Sequence, residues 1–332
     1  MLPTHFALPL DRHDYARIIT AMGTTEIYTF QTVFYAPRVT VRRALRLALV
    51  LAAFSCLLAG AGTAAAEDVD KPLPDKSGYN LFHPTPRGVM RELTPDRPDK
   101  TESPYTVDAG HFQLEMDVVT FTLNRTNDAR TEAWNVAPVN FKIGLLNNVD
   151  LQIIFDNYLY VRTEDRQAHK MTTQSGVGDI TTRLKINLWG NDGGQTAFGV
   201  LPFVKFPSNT DHLGNDAVEG GVIFPLAVKL PADWDLGLET GGSFLRNEQD
   251  RGYHAEFVNM VTVGHEIIGK LGGYLEFFSS VSTERGSSWV GTVDLGLTYG
   301  LTDNIQIDTG VNLGVTHSAD DVNAFTGITV RF

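Results

Sequence analysis

Apolar and polar residues alternate along the C-terminal third of this chain. The alternation is clearest over three stretches, 289–299, 305–313 and 324–332. The last stretch has the sequence AFTGITVRF, in which Ile328 and Val330 alternate with Thr329 and Arg331. Successive side chains of a β-strand point to opposite faces, so this period of two predicts strands with one apolar and one polar face.

The same period recurs as far back as Phe112 and predicts twelve strands. Their approximate bounds are 110–123, 134–145, 149–161, 176–190, 195–206, 219–230, 235–245, 253–266, 271–282, 288–300, 305–315 and 322–332. No segment between them has the length and the 3.6-residue period of an ordinary helix. The pattern therefore predicts an all-β chain built of antiparallel hairpins.

The connections between these strands alternate between short and long. The short ones are 146–148, 191–194, 231–233, 267–269 and 302–304. The longer, polar ones are 124–133, 162–175, 207–218, 246–252, 283–287 and 316–321. Outer-membrane barrels have short periplasmic turns and longer extracellular loops. We therefore predict a twelve-stranded antiparallel transmembrane β-barrel of the outer-membrane type over residues 109–332.

The four tryptophans lie near the ends of predicted strands. Trp134 and Trp289 belong to the outer rim of such a barrel, and Trp189 and Trp234 belong to the inner rim. Aromatic rings at both rims suit the headgroup regions of a bilayer. The alternative is a soluble barrel with aromatic residues at its edges.

Residues 41–66 have the pattern of a secretory signal peptide. Three arginines precede an apolar stretch over 47–66, which ends in alanines and is followed by acidic residues. This order is typical of signal peptides, and an N-terminal membrane anchor is the alternative. We expect cleavage near Ala66 and a final location in the outer membrane of a Gram-negative bacterium.

The segments on either side of this signal peptide lack the strand pattern. Residues 1–40 are interpreted as a leader that is non-translated or non-structural, with translation starting near Val39 or Val41. Residues 67–108 are rich in proline, which excludes helix and central strand, and we predict a periplasmic tail or a plug segment. Cys56, the only cysteine, lies within the signal peptide.

Charged residues are frequent on the polar faces of the predicted strands and rare on the apolar faces. Asn157 and Asn259 are polar residues on an apolar face, and each is a candidate for a β-bulge. In a barrel with an apolar exterior, the polar faces line the interior. The predicted pore-lining residues are Glu115, Asp117, Lys142, Asp156, Arg183, Lys185, Lys205, Glu239, Glu256, Glu276, Asp294, Asp308 and Arg331.

These interior charges are not evenly distributed. Basic residues lie on the second and fourth predicted strands, whereas acidic residues dominate the seventh to eleventh. We therefore expect a basic wall that faces an acidic wall, and a passive channel or transporter for small solutes with a modest preference for cations. A closed structural or adhesion barrel with an ion-paired interior is one alternative.

An enzyme of the outer leaflet, such as a lipid hydrolase, is the other alternative. His317 and Ser318 lie in a predicted outer loop, but no third orienting group is recognisable. The triplet that begins at Asp308 matches that of aspartic proteases, but it falls within a strand. The His265-Glu266 pair lacks the second histidine of a zinc motif. We therefore expect no catalytic residue, no metal site and no cofactor.

The expected partners follow from the barrel and its charge. They are outer-membrane lipid, a small-molecule solute, and the barrel-assembly machinery, the last through the C-terminal strand that ends in Phe332. The formal net charge of −12 provides no basic surface for nucleic acid, so we expect none.

Two stretches resemble motifs of a known family. They are Arg97–Val107 with the following Gly110–Glu115, and Gly176–Asp179 with Leu184–Gly190. Both are similar to motifs of the outer-membrane proteins of the MetA-pathway of phenol degradation family, and the resemblance covers most of residues 80–332. It implies a β-barrel transporter, whose solute would be aromatic or hydrophobic, and it implies no catalytic residues.

Overall fold

The computed structural model describes residues 75–247 and 250–332, so the predicted leader and signal peptide lie outside the described residues. One short 3-10 helix, Arg87–Val89, precedes the strands, and among the described residues no helix is long and apolar enough to cross a membrane. The strands are β1 Phe112–Arg125, β2 Ala129–Val136, β3 Val139–Leu146, β4 Val149–Phe155, β5 Tyr158–Asp165, β6 Lys170–Gly176, β7 Ile180–Trp189, β8 Thr196–Phe206, β9 Glu219–Leu230, β10 Trp234–Arg246, β11 Tyr253–Ile268, β12 Leu271–Ser282, β13 Val290–Thr302, β14 Ile305–Gly314 and β15 Val322–Arg331.

These strands form one closed antiparallel sheet, because β15 pairs with β1 as well as with β14. Three positions around the barrel each hold two short strands placed end to end, namely β2 with β3, β4 with β5, and β6 with β7. For example, β1 pairs with β3 along its first half and with β2 along its second half. The barrel therefore has twelve strand positions, which confirms the predicted fold.

The three interruptions lie at 137–138, 156–157 and 177–179, in neighbouring positions of the barrel wall. Pro138 cannot donate a ladder hydrogen bond, and Ala137 adopts a positive φ of 54°. Asn157 lies in such a break, and its side-chain amide donates to the Ala137 carbonyl oxygen at 2.5 Å. Asn259 lies in a regular ladder, so a bulge there was the wrong interpretation.

Two of the predicted outer loops are β-hairpins. β1 and β2 continue until only 126–128 connects them, and only 166–169 connects β5 and β6. Arg130, Arg162 and Glu164 of these hairpins are exposed. These extensions are polar because they project beyond the apolar band of the barrel. Their polarity is the reason why the sequence pattern predicted loops there.

Apolar side chains face outward and charged side chains face inward. Leu188, Phe206 and Phe244 are 45–67% exposed, whereas Lys185 and Asp294 are fully buried. This is the reverse of the arrangement in a soluble protein, and it suits a barrel whose exterior contacts lipid.

Phe332 lies at the seam of the barrel, where β15 pairs with β1. The backbone N–H of Phe332 donates to the Phe112 carbonyl oxygen at 2.8 Å, and the Phe332 ring is exposed. We propose that the assembly machinery recognises this strand. Deletion of Phe332 should deplete the barrel severalfold from outer membranes, measured by heat-modifiable gel mobility, whereas Phe332→Tyr should assemble. Unchanged levels of the deletion variant would contradict this proposal.

Candidate functional site

Residues 95–108, which we call the inner segment, lie inside the barrel immediately before β1. Asp96, Lys100 and Glu102 of this segment are 2–3% exposed. Their ionic partners come from opposite sides of the barrel. Asp96 contacts Lys185 of β7, and Lys100 contacts Asp294 of β13. The inner segment therefore crosses the lumen between two walls.

On one wall, basic side chains hold acidic groups of the inner segment. The Lys185 ammonium lies 2.5 and 2.6 Å from the two carboxylate oxygens of Asp96, and Lys142 of β3 also contacts Asp96. Arg183 of β7 contacts Glu102. Burial by itself would raise the pKa of Asp96, but the charges of Lys142 and Lys185 hold this pKa well below its ordinary value.

On the opposite wall, acidic side chains hold basic and backbone groups of the inner segment. The Arg97 guanidinium donates to both Asp308 oxygens at 2.7 and 2.8 Å and lies 2.5 Å from Asp117. The Lys100 ammonium lies 3.0 Å from Asp294. The backbone N–H groups of 100, 101 and 102 donate to the carboxylates of Glu276 and Glu239 at 2.7–2.9 Å.

The thirteen predicted pore-lining residues fall into three groups. Nine contact the inner segment, namely Glu115, Asp117, Lys142, Arg183, Lys185, Glu239, Glu276, Asp294 and Asp308. Arg331 lies at the inner rim and donates to the Arg91 carbonyl oxygen at 2.8 Å. Asp156, Lys205 and Glu256 are buried apart from the inner segment, and Lys205 pairs with Glu219 at 2.5 Å. That all thirteen line a permeation path stays a prediction.

A known protein family spans both the inner segment and the barrel. Residues 95–332 match the MetA-pathway of phenol degradation family, and the match begins with the inner segment. The chain belongs to this family. Its closed twelve-stranded sheet, with apolar residues outside and charged residues inside, has the architecture of a membrane-spanning β-barrel.

The chain is also similar to solved structures of outer-membrane proteins, at low sequence identity. The COG4313 outer membrane channel from Pseudomonas putida F1 is 11% identical, with a TM-score of 0.48, and the alignment covers 67% of this chain and 94% of that chain. The NanC porin is 10% identical, with a TM-score of 0.42, and the alignment covers 66% and 98%. The CymD monoaromatic hydrocarbon channel is 8% identical, with a TM-score of 0.33, and the alignment covers 67% and 87%. No curated protein matches.

The end of the inner segment nearest β1 is anchored on the basic side of the barrel. The Val107 N–H donates to Asp150 of β4 at 3.0 Å, and the Thr106 N–H donates to Asn191 at 3.1 Å. Asp108 accepts from the Arg91 N–H at 3.0 Å and lies 3.3 Å from Lys76. The segment is thus tied to the inner rim as well as to the two walls.

The charges of the inner segment were missed at the sequence level because they lie in a proline-rich stretch. The relevant signal is the run Asp96-Arg97-Pro98-Asp99-Lys100-Thr101-Glu102, which holds five charged residues of both signs within seven positions. In the folded barrel these charges pair with charged side chains of both walls. Burial raises the pKa of Glu102 to about 7, although the charge of Arg183 opposes this shift.

Space remains beside the inner segment on the acidic side. A cavity of about 260 Å³, which we call the vestibule, lies between Pro95–Asp99 and strands β10 to β14. A wider space of about 680 Å³ adjoins it at the inner rim, where Arg87 and Lys270 lie. Both spaces share Glu266, Gly272 and Thr298, so the vestibule communicates with the inner rim.

Proposed function

We propose that this protein is a channel or transporter for small solutes in which the inner segment plugs the lumen of the closed state. The observation that carries this proposal is the position of the inner segment, whose charges pair with both walls in the middle of the barrel. Conduction then requires the segment to shift, because Lys100 and Thr101 contact Asp294 and Glu276 of the opposite wall. The family description, which concerns phenol degradation, supports an aromatic solute.

The geometry around Ser318 favours transport over lipid hydrolysis. The Ser318 hydroxyl donates to the backbone carbonyl of Trp289, and Ser318 is only 5% exposed. A nucleophilic serine instead needs its hydroxyl to face a general base and to be open to substrate. We therefore propose that the protein is not an enzyme.

A reversible disulfide between the plug and the wall tests the channel. A Cβ atom on Gly237 would lie 3.8 Å from the Cβ of Thr101, which is the separation found in disulfides. The double variant Thr101→Cys, Gly237→Cys should conduct severalfold less in planar bilayers after oxidation, because the plug can no longer shift. Reductant should restore the conductance.

The two single-cysteine variants are the matched controls, since each carries one substitution and cannot form the cross-link. Their conductance should not respond to oxidation. Full cross-linking without loss of conductance would show that the plug does not block the path. If the unmodified barrel never conducts, a closed structural barrel is the correct function class.

A further inference from the structure

The vestibule is a gap between the inner segment and the acidic wall, beside the contacts that Arg97 and Lys100 make with that wall. On the basic side, atoms of the segment occupy the space next to glycines that face the interior. A Cβ atom on Gly144 would overlap the Asp108 carbonyl oxygen, and one on Gly199 would lie 3.3 Å from the Cα of Pro104. On the acidic side, a Cβ atom on Gly264 would have no neighbour closer than 3.8 Å, and the nearest atoms to one on Gly300 would be 3.7 Å away. Gly264 of β11 and Gly300 of β13 thus have room for a side-chain atom without a clash.

The walls of the vestibule are rich in carboxylates. Asp99 of the inner segment, Asp235 of β10 and Glu266 of β11 line it. Lys229 lies opposite Asp235 in the strand register and partly offsets the charge of Asp235. Arg97 also lines the cavity, but its guanidinium is already paired with Asp117 and Asp308. Acidic groups without a basic partner at close range therefore predominate over basic groups in the lining of the vestibule.

A buried hydroxyl and an aromatic ring complete the lining. Thr262 is 8% exposed, and its Oγ1 makes no hydrogen bond of normal geometry with any described residue. Burial raises the pKa of the Asp99 carboxyl group to about 7, and the nearby Thr262 hydroxyl opposes part of this shift. The Tyr274 hydroxyl donates to the Pro98 carbonyl oxygen at 3.3 Å, which holds the ring beside the cavity.

We propose that the vestibule is a binding site for a small organic cation, such as an ammonium group attached to one ring. The carboxylates of Asp99 and Glu266 attract the charge, and the hydroxyl of Thr262 offers a further polar contact. The rings of Tyr274 and Pro98 cover the apolar part of the ligand, and an aromatic face itself attracts a cation. A volume of about 260 Å³ suits a molecule of this size. Binding at this site does not require a conducting path.

Calorimetric titration of the folded barrel in detergent tests this site, with benzylamine as the probe and benzyl alcohol as its neutral counterpart. Benzylamine should bind measurably more tightly than benzyl alcohol. The Asp99→Asn variant should weaken benzylamine binding about tenfold, as expected for the loss of one charged partner, and should leave benzyl alcohol unaffected. Glu164→Gln, which removes an exposed carboxylate from the outer hairpin, is the control and should change neither affinity.

A second pair of variants tests the position of the site by filling space. Gly264→Leu places a side chain in the vestibule and should abolish binding of benzylamine. Gly242→Leu makes the same change on the lipid-facing side of β10, where a Cβ atom would lie 3.7 Å from Phe257, and should bind normally. Equal affinities for both probes, or normal benzylamine binding by Gly264→Leu, would contradict the proposed binding site. A barrel that conducts without binding benzylamine refutes this inference alone, and one that binds without conducting refutes the channel alone.

Discussion

The Asp96→Asn variant should release the inner segment from the basic wall. The substitution keeps the shape of the side chain but removes the charge that faces Lys142 and Lys185, both 0–2% exposed. Loss of one partner from a buried ion pair typically costs about 3–5 kcal/mol, because the remaining charge is left uncompensated. We expect about 3 kcal/mol, the lower end of this range, since Glu115 still lies 2.5 Å from Lys142.

Trypsin cleavage after Lys100 measures this release, because Lys100 is 3% exposed while the segment is docked. The Asp96→Asn barrel should be cut at Lys100 and should conduct more than the unmodified barrel. Asp321→Asn is the control, since the Arg125–Asp321 pair is exposed and exposed pairs contribute less than about 1 kcal/mol. Continued protection of Lys100 in Asp96→Asn would show that the ion pairs of Asp96 do not hold the segment in place.

The same glycine substitution on opposite walls should have opposite effects. Gly144→Leu places atoms where the backbone of Val107 and Asp108 lies, so the anchored end of the inner segment cannot dock without a shift of the chain. Overpacking of this kind costs about 1–3 kcal/mol. Gly264→Leu enters the vestibule, where the space is empty, and should leave the segment docked.

Trypsin cleavage after Lys100 again distinguishes the two variants. We expect cleavage in Gly144→Leu and protection in Gly264→Leu, with both barrels showing normal heat-modifiable mobility. Protection in both variants would mean that the packing at Gly144 does not determine where the segment lies. Cleavage in both would mean that the acidic wall holds the segment as firmly as the basic wall does.

The sequence by itself determined the barrel fold and which charged side chains face its interior. The period of two depends only on neighbouring residues, and the face of a strand that carries Ile328 and Val330 cannot also carry Thr329 and Arg331. The same rule placed Lys142, Lys185 and Asp294 inside, and all three are buried there. It failed at the two outer hairpins, because their strands are polar on both faces once they leave the apolar band.

Only the tertiary structure decided what the interior charges do. Arg97 meets Asp308 across 211 positions of the chain, and Lys100 reaches Thr292 across 192. No local pattern records such a pairing, because the inner segment is proline-rich, has no strand period and takes its conformation from the walls around it. Gly144 and Gly264 likewise look alike in the sequence, and only the path of the inner segment makes one of them a contact and the other part of a cavity. The face of the sheet to which a side chain points follows from local strand geometry. What fills the lumen instead depends on groups that closure of the barrel brings together.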